Sequence, residues 1–147
     1  MLGGDGKYQS YLQVFRNGII EYVDCWKLSS SKEPLIIPCV AYEEEIIRDV
    51  DGYLKLMQAL QIETPILIMV SILRAKGLQM SPGPRFHVPR NACIHRDSLI
   101  IPDIMIEDYG AEAEHILKPA FDRIWQACGL ERSLNYDEDG NWRSYLR

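Results

Sequence analysis

Seven residues in the middle of the chain have the types and spacing to hold phosphate. From Thr64 to Arg96 there is no Asp or Glu, while Arg74, Lys76, Arg85, Arg90 and Arg96 supply five positive charges, with His87 and His95 interleaved. A basic loop of this kind neutralises phosphates, and Phe86 within it offers a ring on which a base can stack. The following residues reverse the sign through Asp97, Asp103, Glu107, Asp108, Glu112 and Glu114. Basic loop and acidic segment lying against one another would hold the fold instead. The chain as a whole is acidic, with 16 Lys and Arg against 21 Asp and Glu, whereas domains that bind nucleic acid on their own are usually basic. Arg74, Lys76, Arg85, His87, Arg90, His95 and Arg96 therefore stand as the candidate nucleic-acid or phosphate contact, in competition with internal charge compensation.

Other chemical patterns fail on spacing. Gly6-Lys7 lacks the earlier Gly and the following Ser or Thr of a phosphate-binding loop. His95-Arg96-Asp97 spells the protein-kinase triplet, but Pro102 occupies the place of the magnesium-binding Asn, and neither D-F-G nor a Gly-rich loop accompanies it. Asn135-Tyr136-Asp137-Glu138-Asp139-Gly140 copies the first half of a calcium loop, yet Leu146 stands where the bidentate Glu belongs, so a solvated turn is expected. Cys93 and His95 are two potential ligands without a clear third, and no metal or cofactor is expected. Glu21, Asp24 and Lys27 have the wrong spacing for a metal-dependent nuclease. Cys25, Cys39, Cys93 and Cys128 form no C-x-x-C pair and read as thiols of a reducing cytosol.

These residues must be carried by a frame that 147 residues, 47% of them apolar, can build as one domain over residues 1–147. The longest apolar run, near Ile66 to Leu73, is far too short to span a bilayer, and the N-terminus has no signal-peptide pattern, so a cytoplasmic location without membrane contact is expected. Asn17-Gly18 between two β-rich runs predicts a hairpin from Tyr8 to Trp26. With Arg16 facing Ile19, Arg16 and Glu21 would pair diagonally, and apolar groups would occupy both hairpin faces. Pro34 to Val40 predicts an edge strand or crossing arm. From Tyr42 an apolar period of three and four residues predicts a helix, with Glu43, Glu44 and Glu45 in its first turn. The unbroken run Ile66 to Leu73 predicts a central strand buried on both faces. Leu99–Ile101 and Ile104–Ile106 predict two short extended pieces, and Ala111 to Cys128 a second helix stopped by Gly129. A polar tail from residue 132 to 147 carries Tyr136, Trp142 and Tyr145 to dock it. The order implies an α+β fold with one curved, mostly antiparallel sheet and two amphipathic helices packed on it.

Three stretches carry a resemblance: Tyr11-Leu12-Gln13-Val14-Phe15-Arg16-Asn17-Gly18-Ile19-Ile20-Glu21, Pro38-Cys39-Val40-Ala41-Tyr42-Glu43 and Ile104-Met105-Ile106-Glu107-Asp108-Tyr109. Together with Leu117-Lys118-Pro119-Ala120-Phe121-Asp122 and Asn135-Tyr136-Asp137, they resemble the C-terminal region of uncharacterised prokaryotic proteins whose N-terminal half is a Schlafen AlbA-type domain. Such proteins are described as DNA-binding or ATP-binding regulators. The resemblance implies a piece of a longer protein lacking the AlbA-like part, and it brings no catalytic residue with it.

The reading that follows is a non-enzymatic accessory or interaction module of a DNA-binding or defence-related bacterial regulator. It would dock a protein partner or a second copy through the Pro34–Val40 edge and the aromatic hairpin, with Tyr11, Phe15 and Tyr22 as its interaction surface. The alternative is a nucleic-acid-processing enzyme or phosphate-ligand-binding domain built on the basic segment 74–96.

Overall fold

The computed structural model describes residues 10–25, 35–81 and 92–143. In chain order these form β1 (Ser10–Val14), β2 (Ile20–Asp24), β3 (Ile36–Pro38), α1 (Cys39–Ala59), β4 (Ile66–Ile68), β5 (Ser71–Leu73), β6 (Gln79–Ser81), β7 (Ser98–Ile100), β8 (Ile104–Ile106) and α2 (Ala113–Ala127). The class is α+β with two helices. Among the described residues the strands make four two-stranded ladders in place of one continuous curved sheet: β1–β2, β4–β8 and β5–β7 antiparallel, and β3–β6 parallel.

The hairpin forms with a register one residue away from the expected one. Phe15 N–H donates to Ile19 C=O (2.8 Å) and Gly18 N–H to Phe15 C=O (3.0 Å), so the loop holds three residues, Arg16, Asn17 and Gly18. Gly18 takes φ +87°, the left-handed position that closes a three-residue loop. Leu12 consequently faces Tyr22, and Gln13 faces Glu21. Glu21 accepts the Tyr11 hydroxyl (3.0 Å) in the place expected for Arg16.

β4–β8 and β5–β7 are two halves of one long ribbon. Ile101 N–H donates to Val70 C=O between them (3.1 Å), and there Met69 and Val70 oppose Ile101, Pro102 and Asp103, a bulge that offsets the two registers. Burial alternates residue by residue from Ile66 to Leu73. The expected strand buried on both faces is therefore overturned. Ile66, Ile68, Val70 and Ile72 face the body, while Leu67, Met69 and Leu73 face outward. Three of the four outward side chains are apolar as well, Ser71 being the exception, which hides a period of two.

α1 begins at Cys39, three residues earlier than its apolar period suggests, because Pro38 ends β3 and fixes an extended N-cap (φ −75°, ψ 90°). Glu43 is thereby moved out of the first turn and onto the apolar stripe with Ile47, Val50 and Leu54. α2 presents Leu117, Ala120, Phe121, Ile124 and Trp125 to the core, as its period demands. Gly129 (φ +81°) ends it in a Schellman motif, with Gly129 N–H on Gln126 C=O (2.9 Å) and Leu130 N–H on Trp125 C=O (3.1 Å). The core these elements enclose centres on Ile37, Leu78, Ile94, Leu117, Phe121, Ile124 and Trp125. Tyr42 meets Phe121 edge-on at 5.7 Å. No described helix is long and apolar enough to cross a membrane.

Candidate functional site

The most highly organised polar group is Glu43, which is 0% exposed. Its Oε1 accepts from Trp125 Nε1 (2.8 Å), Ser133 Oγ (2.8 Å) and the Tyr42 hydroxyl (3.1 Å). Its Oε2 accepts from Asn135 Nδ2 (2.8 Å) and Trp142 Nε1 (2.9 Å). Burial pushes the carboxyl pKa up, and the donors from Asn135, Trp125, Ser133 and Trp142 pull it back; the net direction is upward. The carboxylate is enclosed by five donors from α1, α2 and the segment after α2. Through Ser133, Asn135 and Trp142 the segment 133–142 is tied to Glu43 of α1. Tyr136 donates its hydroxyl to Glu114 C=O (2.6 Å) and pairs with Trp142 across a bridge. Tyr145 lies outside the described residues.

The calcium-like stretch is consumed by the same anchoring. Asn135 is buried and spent on Glu43 and on Cys39 C=O (3.2 Å). Asp137 accepts Asn141 N–H (2.9 Å) and Arg143 Nε (3.0 Å), which holds its carboxyl below the ordinary aspartate range. The segment is a turn tied by its own side chains.

Of the seven basic candidates, Arg85, His87 and Arg90 lie outside the described residues, while Arg74, Lys76, His95 and Arg96 are all exposed. Their backbones run side by side, since Ala75 N–H donates to Asp97 C=O (2.8 Å) and Gly77 N–H to Ile94 C=O (2.8 Å). Local pairing thus gathers four candidates at one end of the ribbon, with Asp97 among them. Among the described residues no ion pair joins Arg74, Lys76 or Arg96 to the acidic segment.

Among the described residues, two open clefts stand out. One, of about 430 Å³, separates residues 92–95 from the end of α2 and is lined by Cys93, His95 and Cys128 among others. Burial pushes the Cys128 thiol up to about 11, which makes it a poor nucleophile, and among the described residues no hydrogen bond joins Cys93 to His95. The other, of about 650 Å³, lies between α1 and the start of α2 and is lined by Glu44, Asp51, Glu112, Glu114 and Trp142 among others. At its rim the donor atoms of Glu112, Glu114 and His115 fall within 4.8 Å of one another, a set able to take a cation. The positive end of the α2 dipole accounts for both carboxylates without one.

The hairpin residues Tyr11, Phe15 and Tyr22 are exposed, as are Leu12, Val14 and Ile19. Tyr22 reaches the body by donating its hydroxyl to Glu45 (3.3 Å). Of the Pro34–Val40 edge, Ile37 and Cys39 are core residues and Ile36 is exposed; β3 pairs with β6 alone among the described residues, and Pro34 lies outside them. A second apolar surface was not legible in the sequence. It is the outer ribbon face, where Leu67 (51% exposed), Met69 (70%), Leu73 (70%), Ile100 (76%) and Met105 (61%) lie together. Leu67 and Met105 are cross-strand partners. No family model, curated protein or solved structure matches this chain.

Proposed function

We propose that this chain is a non-enzymatic interaction module whose work is docking onto a protein partner or a second copy of itself. The observation that carries this reading is where the exposed apolar side chains fall. They concentrate on the β1–β2 hairpin and on one face of the ribbon. Isolated two-stranded pairs are marginal in water, and burying such faces on another surface stabilises them. The group best equipped for acid–base work, Glu43, is sealed and fully bonded, which supports the same reading. The resemblance noted above would make the module the accessory region of a DNA-binding or defence-related bacterial regulator.

A second reading is favoured by a separate observation, the exposed cluster of Arg74, Lys76, His95 and Arg96. There the chain would bind nucleic acid or another phosphate ligand. Fluorescence anisotropy with single-stranded and duplex DNA and RNA, titrated over a salt series, separates the two. The interaction module is expected to show no retention at physiological salt. Retention that falls steeply with salt and is lost in Arg74→Ala with Arg96→Ala would overturn it.

A further inference from the structure

The ribbon formed by residues 66–73 and 98–106 is charged at both ends, and its outer face between them carries Leu67, Met69, Leu73, Ile100 and Met105, with Ser71 and Ser98 among them and the exposed Asp103 at the bulge. Beyond Leu73 and Ser98 stand Arg74, Lys76 and Arg96, with Asp97 as the single acid among them. Beyond Ile66 and Ile106 stand Glu63, Glu107 and Asp108. All seven are exposed. The ribbon is thus charged oppositely at its two ends, roughly 25 Å apart at the rise of a β-strand.

Five side chains more than half exposed leave roughly 100 Å² each, or about 500 Å² in all, toward the upper end of what a typical monomer exposes in one patch. Two such faces brought together would bury about 1,000 Å², the lower bound for a specific interface. The occupant must also satisfy the charged ends. A surface of uniform charge opposes one end whichever way it docks. A second ribbon related by a two-fold axis that lies in the interface plane and crosses the strands meets both, because its acidic end lies over the first copy's basic end and the reverse.

We infer that two copies of this chain associate through the outer ribbon face in antiparallel orientation, with Met69 and Ile100 near the two-fold axis and Arg74, Lys76 and Arg96 of each copy opposite Glu63, Glu107 and Asp108 of the other. This rests on the docking reading above and names the partner. It also gives the unusual segregation of charge along the sequence a purpose, since the acid-free stretch and the acidic stretch that follows it furnish the two ends.

Sedimentation velocity on the full chain over a concentration series tests the association. The expected result is a dimer whose population rises with concentration and falls as salt is added. Ile100→Lys, a change at an exposed position, is expected to raise the dissociation constant at least about tenfold with the circular dichroism spectrum preserved. The charges are tested by two reversed chains, Arg74→Glu with Arg96→Glu and Glu63→Lys with Glu107→Lys. Each is expected to be monomeric alone, and the two are expected to associate when mixed. Carbodiimide treatment of a mixture of isotopically light and heavy chains is expected to join Lys76 of one copy to Glu63 or Glu107 of the other. A parent chain that is monomeric at every concentration, a dimer unmoved by Ile100→Lys, reversed chains that ignore one another, or cross-links joining like ends would each overturn the inference. A monomer that also retains no nucleic acid overturns this association alone. Retention of nucleic acid in the anisotropy titration overturns the reading beneath it.

Discussion

Replacing Glu43 by Gln changes almost no volume and removes one acceptor, yet the geometry around it makes this one of the most damaging isosteric changes available to the chain. Trp125 donates to Oε1 and Trp142 to Oε2. An indole N–H can only donate. Whichever way a Gln amide is turned, its NH2 faces one of the two indoles, so one buried donor is left opposite another. The hydroxyls of Ser133 and Tyr42 can rotate to accept, but the indoles cannot. Losing a hydrogen bond to a charged acceptor costs about 1.5–3 kcal/mol, and stranding a buried donor adds about 1–3 kcal/mol. A total of about 3–5 kcal/mol is expected, a large part of the stability of a typical domain. In a chain of this size that lowers the melting temperature by on the order of 10 °C. Urea unfolding near pH 8, followed by tryptophan fluorescence, measures it. The argument is specific to two indoles on opposite oxygens, so the penalty should shrink by at least about 1 kcal/mol when the substitution is made in a Trp142→Phe background, where the amide has a side free of an indole. A Glu43→Gln chain within about 1 kcal/mol of the parent, or a penalty unchanged by Trp142→Phe, would refute the reasoning.

Three further outcomes follow from local geometry. Gln61 holds φ +56° at the end of α1, closing a Schellman motif in which Gln61 N–H meets Gln58 C=O and Ile62 N–H meets Met57 C=O. Gln61→Gly should therefore raise stability by about 0.5–1 kcal/mol in urea unfolding, and a loss would show that the side chain offsets the strain. Trp142→Phe alone leaves Oε2 of Glu43 with Asn135 as its remaining donor and should cost about 1.5–3 kcal/mol by the same assay; a neutral result would place the indole bond outside the native state. The Asp137 carboxyl is held down by the Asn141 backbone N–H and by Arg143. Its contribution to stability is thus fully present above the ordinary aspartate range and lost as pH falls through the lowered folded value. A carbon-detected NMR titration should place its midpoint below that of an exposed aspartate, and a midpoint at or above it would contradict the turn.

What the sequence could disclose divides along physical lines. α2 was readable in full because period, composition and a terminal glycine all agree. The hairpin was readable as a hairpin, but Asn17-Gly18 serves equally as the middle of a two-residue loop or the end of a three-residue one, and that choice shifts every cross-strand pair. The strands at Ile66–Leu73 are apolar on both faces save for Ser71, and one polar residue is too little alternation from which to tell an exposed side from a buried one. β6 is three residues long and pairs with a strand more than forty positions away, which leaves no local pattern. Glu43 was hidden in Glu43-Glu44-Glu45, whose obvious explanation is the helix dipole; the available signal was its place on the stripe of Ile47, Val50 and Leu54. The basic candidates were legible as a charge pattern, whereas their gathering at one end of a ribbon depends on pairing between residues 74–77 and 94–97.

The anchoring of Glu43 bears on how the polypeptide matures. Its partners Ser133, Asn135 and Trp142 follow it by 90, 92 and 99 positions. While the chain is being synthesised, α1 leaves the ribosome with a carboxylate whose one donor already present is the adjacent Tyr42 hydroxyl; Trp125 follows, and the other three donors come last. Translation that halts before Ser133 releases a polypeptide in which Oε2 of Glu43 lacks both of its donors, and quality-control proteases would meet it as a loosened chain.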